Sequence, residues 1–203
     1  MSKAKTAGKG RKPGFEWKQI VRLSVTLFII TAVSGAVLSL VNALTADTIA
    51  MRQEAARQKA MACVMPSADV FSDLYSENTD IQRISGAYKG TKFVGYCVEV
   101  SSNGFGGAIE LMVGVNPNGK VTGVTILGHG ETPGLGARAE NPDFLGQYVG
   151  KSGKISVGQG GNAVNAITGA TITSKAVTEG VNTAIAAVIH YNEEGGSEYE
   201  GDV

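Results

Sequence analysis

Asn165-Ala166-Ile167-Thr168-Gly169-Ala170-Thr171-Ile172-Thr173-Ser174 ends a strand-rich region and opens a helical one. Three threonines and a serine fall between residues 168 and 174, while Gly169 and Ala170 leave little bulk beside Thr171. A hydroxyl flanked by small residues at a helix mouth suits close approach of a phosphate. The first N–H groups of a helix lack intrahelical partners and carry partial positive charge. The same residues also suit a plain strand-to-helix turn in which Thr173 or Ser174 is the N-cap. Beyond the stretch, Val177, Val181, Ala184, Ile185 and Val188 recur at i, i+4, i+7, i+8 and i+11. That spacing predicts one face of a helix packed on a sheet. His190, near the end of that helix, suits a C-terminal capping group. The acidic segment 193–203 reads as a disordered tail.

Upstream, the period changes to two. Lys92 to Val100, Ala108 to Val115 and Lys120 to Leu127 are β-rich runs separated by Ser101 to Gly107 and by Asn116-Pro117-Asn118-Gly119. Connections this short predict an antiparallel meander, since parallel strands need longer crossovers. Residues 67–82 form a mixed polar segment with little patterning. Residues 138–153 predict a short helical or irregular piece with Phe144, Leu145 and Tyr148 facing the core. Lys154 to Val157 suits a strand, followed by a Gly-rich turn at 158–162.

Between the meander and that piece lies Gly128-His129-Gly130-Glu131-Thr132-Pro133-Gly134-Leu135-Gly136-Ala137. Its glycines leave backbone N–H groups free to line a ligand site, with His129, Glu131 and Thr132 as polar groups. It is neither a Walker A loop nor a GxGxxG dinucleotide fingerprint. Taken alone it is also an ordinary Gly/Pro loop.

Two of these stretches carry a resemblance. Thr168 to Ser174, TGATITS, resembles the flavinylation motif of the RnfG and NqrC subunits of membrane redox pumps. HGETPGLG at 129–136 is similar to the ETPGLG loop of the same FMN-binding domain. The resemblance implies FMN joined through its phosphate to Thr171 by a separate flavin transferase. Thr168, Gly169, Ala170, Thr173, Ser174, Glu131, Thr132, Gly134 and Leu135 are implied around that cofactor. Both motifs would converge on one pocket, with the loop from Glu131 to Gly136 against the flavin. Where the family pattern carries Asp, this chain has Asn165. The shorter extracytoplasmic region favours RnfG over NqrC.

At the other end, Lys3, Lys5, Lys9, Arg11, Lys12, Lys18 and Arg22 stand against the single acid Glu16 within residues 1–22. No charged residue follows from Leu23 to Ala46. These roughly 24 apolar positions span about 36 Å as a helix, enough to cross a hydrocarbon core. The run is long for a cleaved signal peptide, so an uncleaved transmembrane helix is expected at 23–46. By the positive-inside rule the N-terminus is cytoplasmic and the remainder extracytoplasmic. Residues 47–84 then form a stalk or membrane-proximal helical segment, ended by Pro66, and 85–192 the FMN-binding domain. Met51, Met61 and Met65 read as packing residues rather than ligands.

The remaining chemistry narrows the class. With formal net charge +0, nothing points to nucleic acid. Cys63 and Cys97 are too few for an iron–sulfur cluster or a Cys-rich zinc site. They suit either a disulfide or two thiols. No GxSxG elbow or CxxCH haem site occurs. The expectation is an α+β protein: a transmembrane helix followed by an extracytoplasmic, mainly antiparallel sheet with packed helices. The resemblance implies an electron-transfer subunit of an ion-translocating ferredoxin:NAD oxidoreductase complex, with no catalytic residue and no metal of its own. Its partners would be the other subunits of the Rnf membrane complex, and a flavin transferase for maturation. An NqrC-like subunit and a flavin-free membrane-anchored binding module are the alternatives.

Overall fold

The computed structural model describes residues 17–74 and 81–193. The basic segment before Trp17 and the acidic tail beyond Glu193 lie outside the described residues. The chain divides into two compact units, Met1–Arg52 and Gln53–Val203.

The first unit is the greater part of helix α1, Trp17–Val64, which runs 48 residues without interruption. The residues of α1 that are buried, Arg57, Ala60, Met61 and Val64, all belong to the second unit. Leu23, Phe28, Leu38 and Leu44 are exposed within the chain. An apolar surface of this extent requires a non-aqueous partner, and the helix is long and apolar enough to cross a membrane. Three of its threonine hydroxyls bond within the helix. Thr26, Thr31 and Thr45 each donate to a carbonyl one turn back, at 2.8, 3.0 and 2.8 Å. The helix passes Ala46 unbroken and stops at Val64, because Met65 precedes Pro66 and is steered out of the helical region.

The second unit is built on a five-stranded antiparallel sheet in chain order: β1 Val70–Leu74, β2 Ile81–Lys89, β3 Lys92–Asn103, β4 Ala108–Val115 and β5 Val121–His129. The meander expected after Gly90 is present, with β4 at the expected bounds. β1 and β2 correct the reading of 67–82 as unpatterned and the absence of a strand before Gly90. In β2 four consecutive residues, Ile84 to Ala87, are buried, so the strand shows no alternation. Short side chains at Ser85, Gly86 and Ala87 pack on both faces and conceal the period.

Both faces of the sheet are covered. Helix α3, Thr171–Glu193, lays Val177, Val181, Ala184 and Val188 on Val98, Val100, Leu111 and Val113. The end of α1 covers the other face, where Met61, Val64 and Met65 meet Cys97 and Met112. Met61 and Met65 are each 1% exposed, which is packing. Glycine permits this approach: a Cβ at Gly123 would stand 2.7 Å from Val64 Cα. Thr122 Oγ1 also donates to Val64 O at 2.7 Å.

Arg57 locks the helix to the sheet. Its Nη2 donates to Asp73 Oδ1 and Ser85 Oγ, both at 2.7 Å, and its Nε stands 3.3 Å from Glu99 Oε2. Burial pulls the Asp73 carboxyl up. The hydrogen bonds from Arg57 and Ser85, with the charges of Arg57 and Arg83, outweigh it and hold the group below its ordinary value. Cys63 is exposed on α1 and Cys97 is buried in the sheet, both as free thiols. Burial pushes the Cys97 thiol up to about 12.

Between β5 and α3 the chain forms a 3-10 turn at Gly136–Glu140, the short helix α2 Pro142–Leu145, a second 3-10 turn at Gly146–Tyr148, and the small parallel pair β6 Ser156–Val157 and β7 Ala163–Val164. Phe144, Leu145 and Tyr148 are buried, as their pattern predicts.

Candidate functional site

The two glycine-bearing stretches are built alike. Ala170 N donates to Ile167 O at 3.0 Å with Gly169 at φ +81°. Leu135 N donates to Thr132 O at 3.2 Å with Gly134 at φ +80°, behind Pro133. Each is a turn of type II form, whose third residue takes positive φ and so favours glycine. The turns are neighbours: a Cβ at Gly169 would lie 3.4 Å from Leu135 Cδ2.

Glu131 joins them. Its carboxylate is buried, 6% exposed, and accepts hydrogen bonds on both oxygens. Thr173 Oγ1 donates to Oε2 at 2.7 Å and Gly106 N to Oε1 at 2.9 Å. Side chains at Gly104 or Gly136 would collide with these oxygens, so glycine is what lets three segments close around the carboxylate. Burial pulls its pKa up. Hydrogen bonds from Gly106 N–H, Thr173 and Phe105 N–H, together with His129, outweigh burial and hold the group below the ordinary carboxylate range. His129 braces the same loop: Nδ1 accepts from Glu131 N at 3.1 Å and Nε2 stands 3.1 Å from Glu140 Oε1.

Helix α3 begins at Thr171, which corrects the cap reading of Thr173 and Ser174. Both lie inside the first turn, and their hydroxyls reach other partners. Thr173 is taken by Glu131. Ser174 Oγ accepts from Ile167 N at 3.0 Å and donates to Ala170 O at 2.9 Å, pinning the turn to the helix. Below it, Thr178 Oγ1 donates to Ser174 O at 2.8 Å and meets Tyr148 Oη at 2.8 Å. Burial raises the Tyr148 phenol to about 12.

Exposure divides the ten residues singled out from the sequence. Thr171, Thr168, Gly169, Thr132, Gly134 and Leu135 are at the surface, while Glu131, Ala170, Thr173 and Ser174 are buried beneath them. The buried set holds the frame and the exposed set is accessible. Patterning did not single out Gly106, whose N–H completes the Glu131 clasp, or Gln147. The Gln147 amide accepts from Asn165 N at 2.7 Å, holding the chain just before the turn. The density of glycine in Gly104-Phe105-Gly106-Gly107 was the available signal for the first. A single surface glutamine offers none for the second.

Chemically, the surface presents the Thr171 hydroxyl at a helix N-terminus, where N–H groups and the helix dipole favour a phosphate. Around it, Leu135 and Ile172 are exposed apolar side chains, at 49% and 55%. A hydroxyl, a phosphate-favouring helix end and nearby apolar surface suit a cofactor with a phosphate arm and a flat ring. Among the described residues no cluster of His, Cys, Asp or Glu is placed to hold a metal ion.

Comparison with known proteins gives matching results. The model of the FMN-binding domain matches residues 104–186, and that of the RnfG N-terminal region matches 9–64. The G subunit of the proton-translocating ferredoxin:NAD(+) oxidoreductase complex of Clostridium ljungdahlii is 38% identical, covering 82% of this chain and 88% of that protein. The G subunit of the Na(+)-translocating ferredoxin:NAD(+) oxidoreductase complex of Acetobacterium woodii is 34% identical, covering 86% and 94%. Among solved structures, the C subunit of the Na(+)-translocating NADH-quinone reductase of Parabacteroides distasonis shares the fold. It has a TM-score of 0.53 at 18% identity, covering 70% of this chain and 94% of that one.

Proposed function

This chain belongs to the RnfG family, the G subunits of membrane-bound ion-translocating ferredoxin:NAD oxidoreductase complexes, and from that premise we propose that it carries electrons through an FMN joined by its phosphate to Thr171. The observation that carries the proposal is the placement of Thr171. It is an exposed hydroxyl on the first residue of α3, set on a turn that Glu131, Thr173 and Ser174 hold rigid.

A threonine hydroxyl is a weak nucleophile, so attachment requires a flavin transferase acting from outside the chain. Thr171 Oγ forms the new ester bond to the phosphorus of the FMN half of FAD. The bond between the two FAD phosphates breaks, AMP leaves, and the hydroxyl proton passes to a base of the transferase or to water. Once attached, the flavin supplies one- and two-electron redox chemistry. Thr168, Gly169 and the helix N-terminus would receive the phosphate arm, with Thr132, Gly134 and Leu135 on the neighbouring turn. Glu131, Ala170, Thr173 and Ser174 fix the geometry from below.

The basic flank before α1 supports a cytoplasmic N-terminus and a single crossing, with the second unit outside the membrane. Covalent attachment has a physical rationale there. A dissociated flavin could not be replaced from the cytoplasmic pool, and a tether keeps its effective concentration high. The subunit passes electrons between redox centres of its membrane partners and leaves the NAD and ferredoxin reactions to other subunits. The apolar run of α1 has no ionisable residue, so the ion pathway lies elsewhere in the complex.

The test is intact mass with peptide mapping after co-expression with a flavin transferase. FMN as a phosphoester adds about 438 Da, expected on the peptide containing Thr171 and absent from Thr171→Ala. An unmodified chain beside a modified control protein would overturn the proposal.

A further inference from the structure

The hairpin between β3 and β4 ends in Gly104-Phe105-Gly106-Gly107, closed by Gly104 N donating to Gly107 O at 2.8 Å. Its glycines are there for contact as well as for turning. A Cβ at Gly104 would strike the Glu131 carboxylate and the Ile109 side chain, and one at Gly106 would strike Gly130 O. The tip is therefore seated tightly on the Gly130–Glu131 backbone. Yet the one side chain it carries, Phe105, is 71% exposed. A large ring held out to water on a rigid, glycine-packed turn is an unsatisfied surface.

Gly106 N–H and the Thr173 hydroxyl occupy the two oxygens of one carboxylate, so the tip and the first turn of α3 are bound to the same group. Leu135 lies on the loop that supplies the carboxylate, and Ile172 adjoins Thr173. Three segments tied to one buried carboxylate thus each present an exposed apolar side chain: Phe105, Leu135 and Ile172.

We propose that Phe105 is a contact residue for the isoalloxazine ring of the flavin carried on Thr171, and that the β3–β4 tip is the wall holding the ring against the domain. The inference rests on the proposed flavin at Thr171. Phe105 supplies an apolar, polarisable face that excludes water from one side of the ring, and Glu131 holds that face in register with the attachment point.

The test uses the full chain in detergent, co-expressed with a flavin transferase, as wild type, Phe105→Ala and Phe105→Leu. Because Phe105 packs on nothing in the core, all three are expected to fold and to melt alike by circular dichroism. The readouts are collisional quenching of flavin fluorescence by iodide, and fluorescence anisotropy. In Phe105→Ala, loss of one aromatic contact is expected to raise the population of unpacked ring roughly two- to tenfold. Quenching then rises, anisotropy falls toward that of a freely rotating tether, and Phe105→Leu restores part of both. Identical quenching and anisotropy in wild type and Phe105→Ala would overturn the proposal. A folded Phe105→Ala that is no longer flavinylated would also overturn it, since the residue would then be read by the transferase. A wild-type chain without flavin would instead overturn the attachment at Thr171.

Discussion

At the scale of single residues, Glu131 does the most to shape the site while being nearly absent from its surface. Its two oxygens satisfy a buried hydroxyl and a loop N–H, so Glu131→Ala leaves both donors unpaired and is expected to cost about 2–4 kcal/mol in urea unfolding. Glu131→Gln keeps the shape and one acceptor and should cost less than half as much. The pH dependence has a definite sign. The folded group titrates below its ordinary value of 4.5, so its stabilisation is fully present above about 4.5 and is lost as pH falls through the folded value. Wild type should therefore lose stability on acidification below that point more steeply than Glu131→Gln; parallel curves would show that the charge contributes nothing. Asn165 supports a second prediction at this scale. Its backbone is held by Gln147 and its side chain is exposed where the family pattern carries Asp, so Asn165→Asp should raise the rate of flavin attachment without altering the melting temperature. Mass spectrometry over a time course of modification measures it.

Among elements, two turns and one helix end matter most. The turns at Ile167–Ala170 and Thr132–Leu135 each place glycine at positive φ, where a side chain costs about 1–2 kcal/mol. Gly169→Ala and Gly134→Ala should each lower the melting temperature, and the first should also reduce flavin attachment because it displaces Thr171. The end of α1 is fastened by Arg57, whose loss takes the nearby cation from Glu99 and leaves Asp73 with Arg83 and Ser85. Since the Asp73 side chain is 54% exposed and partly screened by water, Arg57→Leu is expected to cost about 2–3 kcal/mol, short of a fully buried pair. Arg57→Lys should not restore it fully, because one ammonium cannot reach Asp73, Ser85 and Glu99 in the geometry of the guanidinium. Urea denaturation of the three forms checks this. Three strands, the long apolar helix and α3 were legible because each has a continuous period. β2 was not, because Ser85, Gly86 and Ala87 are buried by their size and not by alternation.

On the scale of the whole molecule, the boundary between the two compact units lies inside α1 and not at its end. The compact unit begins at Gln53, since Arg57, Met61, Val64 and Met65 complete the face of the sheet that α3 does not cover. A chain starting at Gln53 should be soluble and melt cooperatively. One starting at residue 85 lacks β1, the first residues of β2 and the covering helix, so it exposes Cys97 and Met112 and should aggregate. Expression of both fragments with calorimetry distinguishes this boundary from the one expected at 85. From composition and order alone came the membrane helix, the α+β class, the family resemblance and the threonine to watch, because hydropathy, period and short motifs are local properties of the chain. Tertiary structure decided the rest. It turned Thr173, Ser174 and Glu131 from candidate ligands into a buried frame, brought Gly106 to the Glu131 carboxylate, and assigned the last turns of α1 to the sheet. These are matters of which distant segments share one carboxylate or one apolar face, and no local pattern encodes such a pairing.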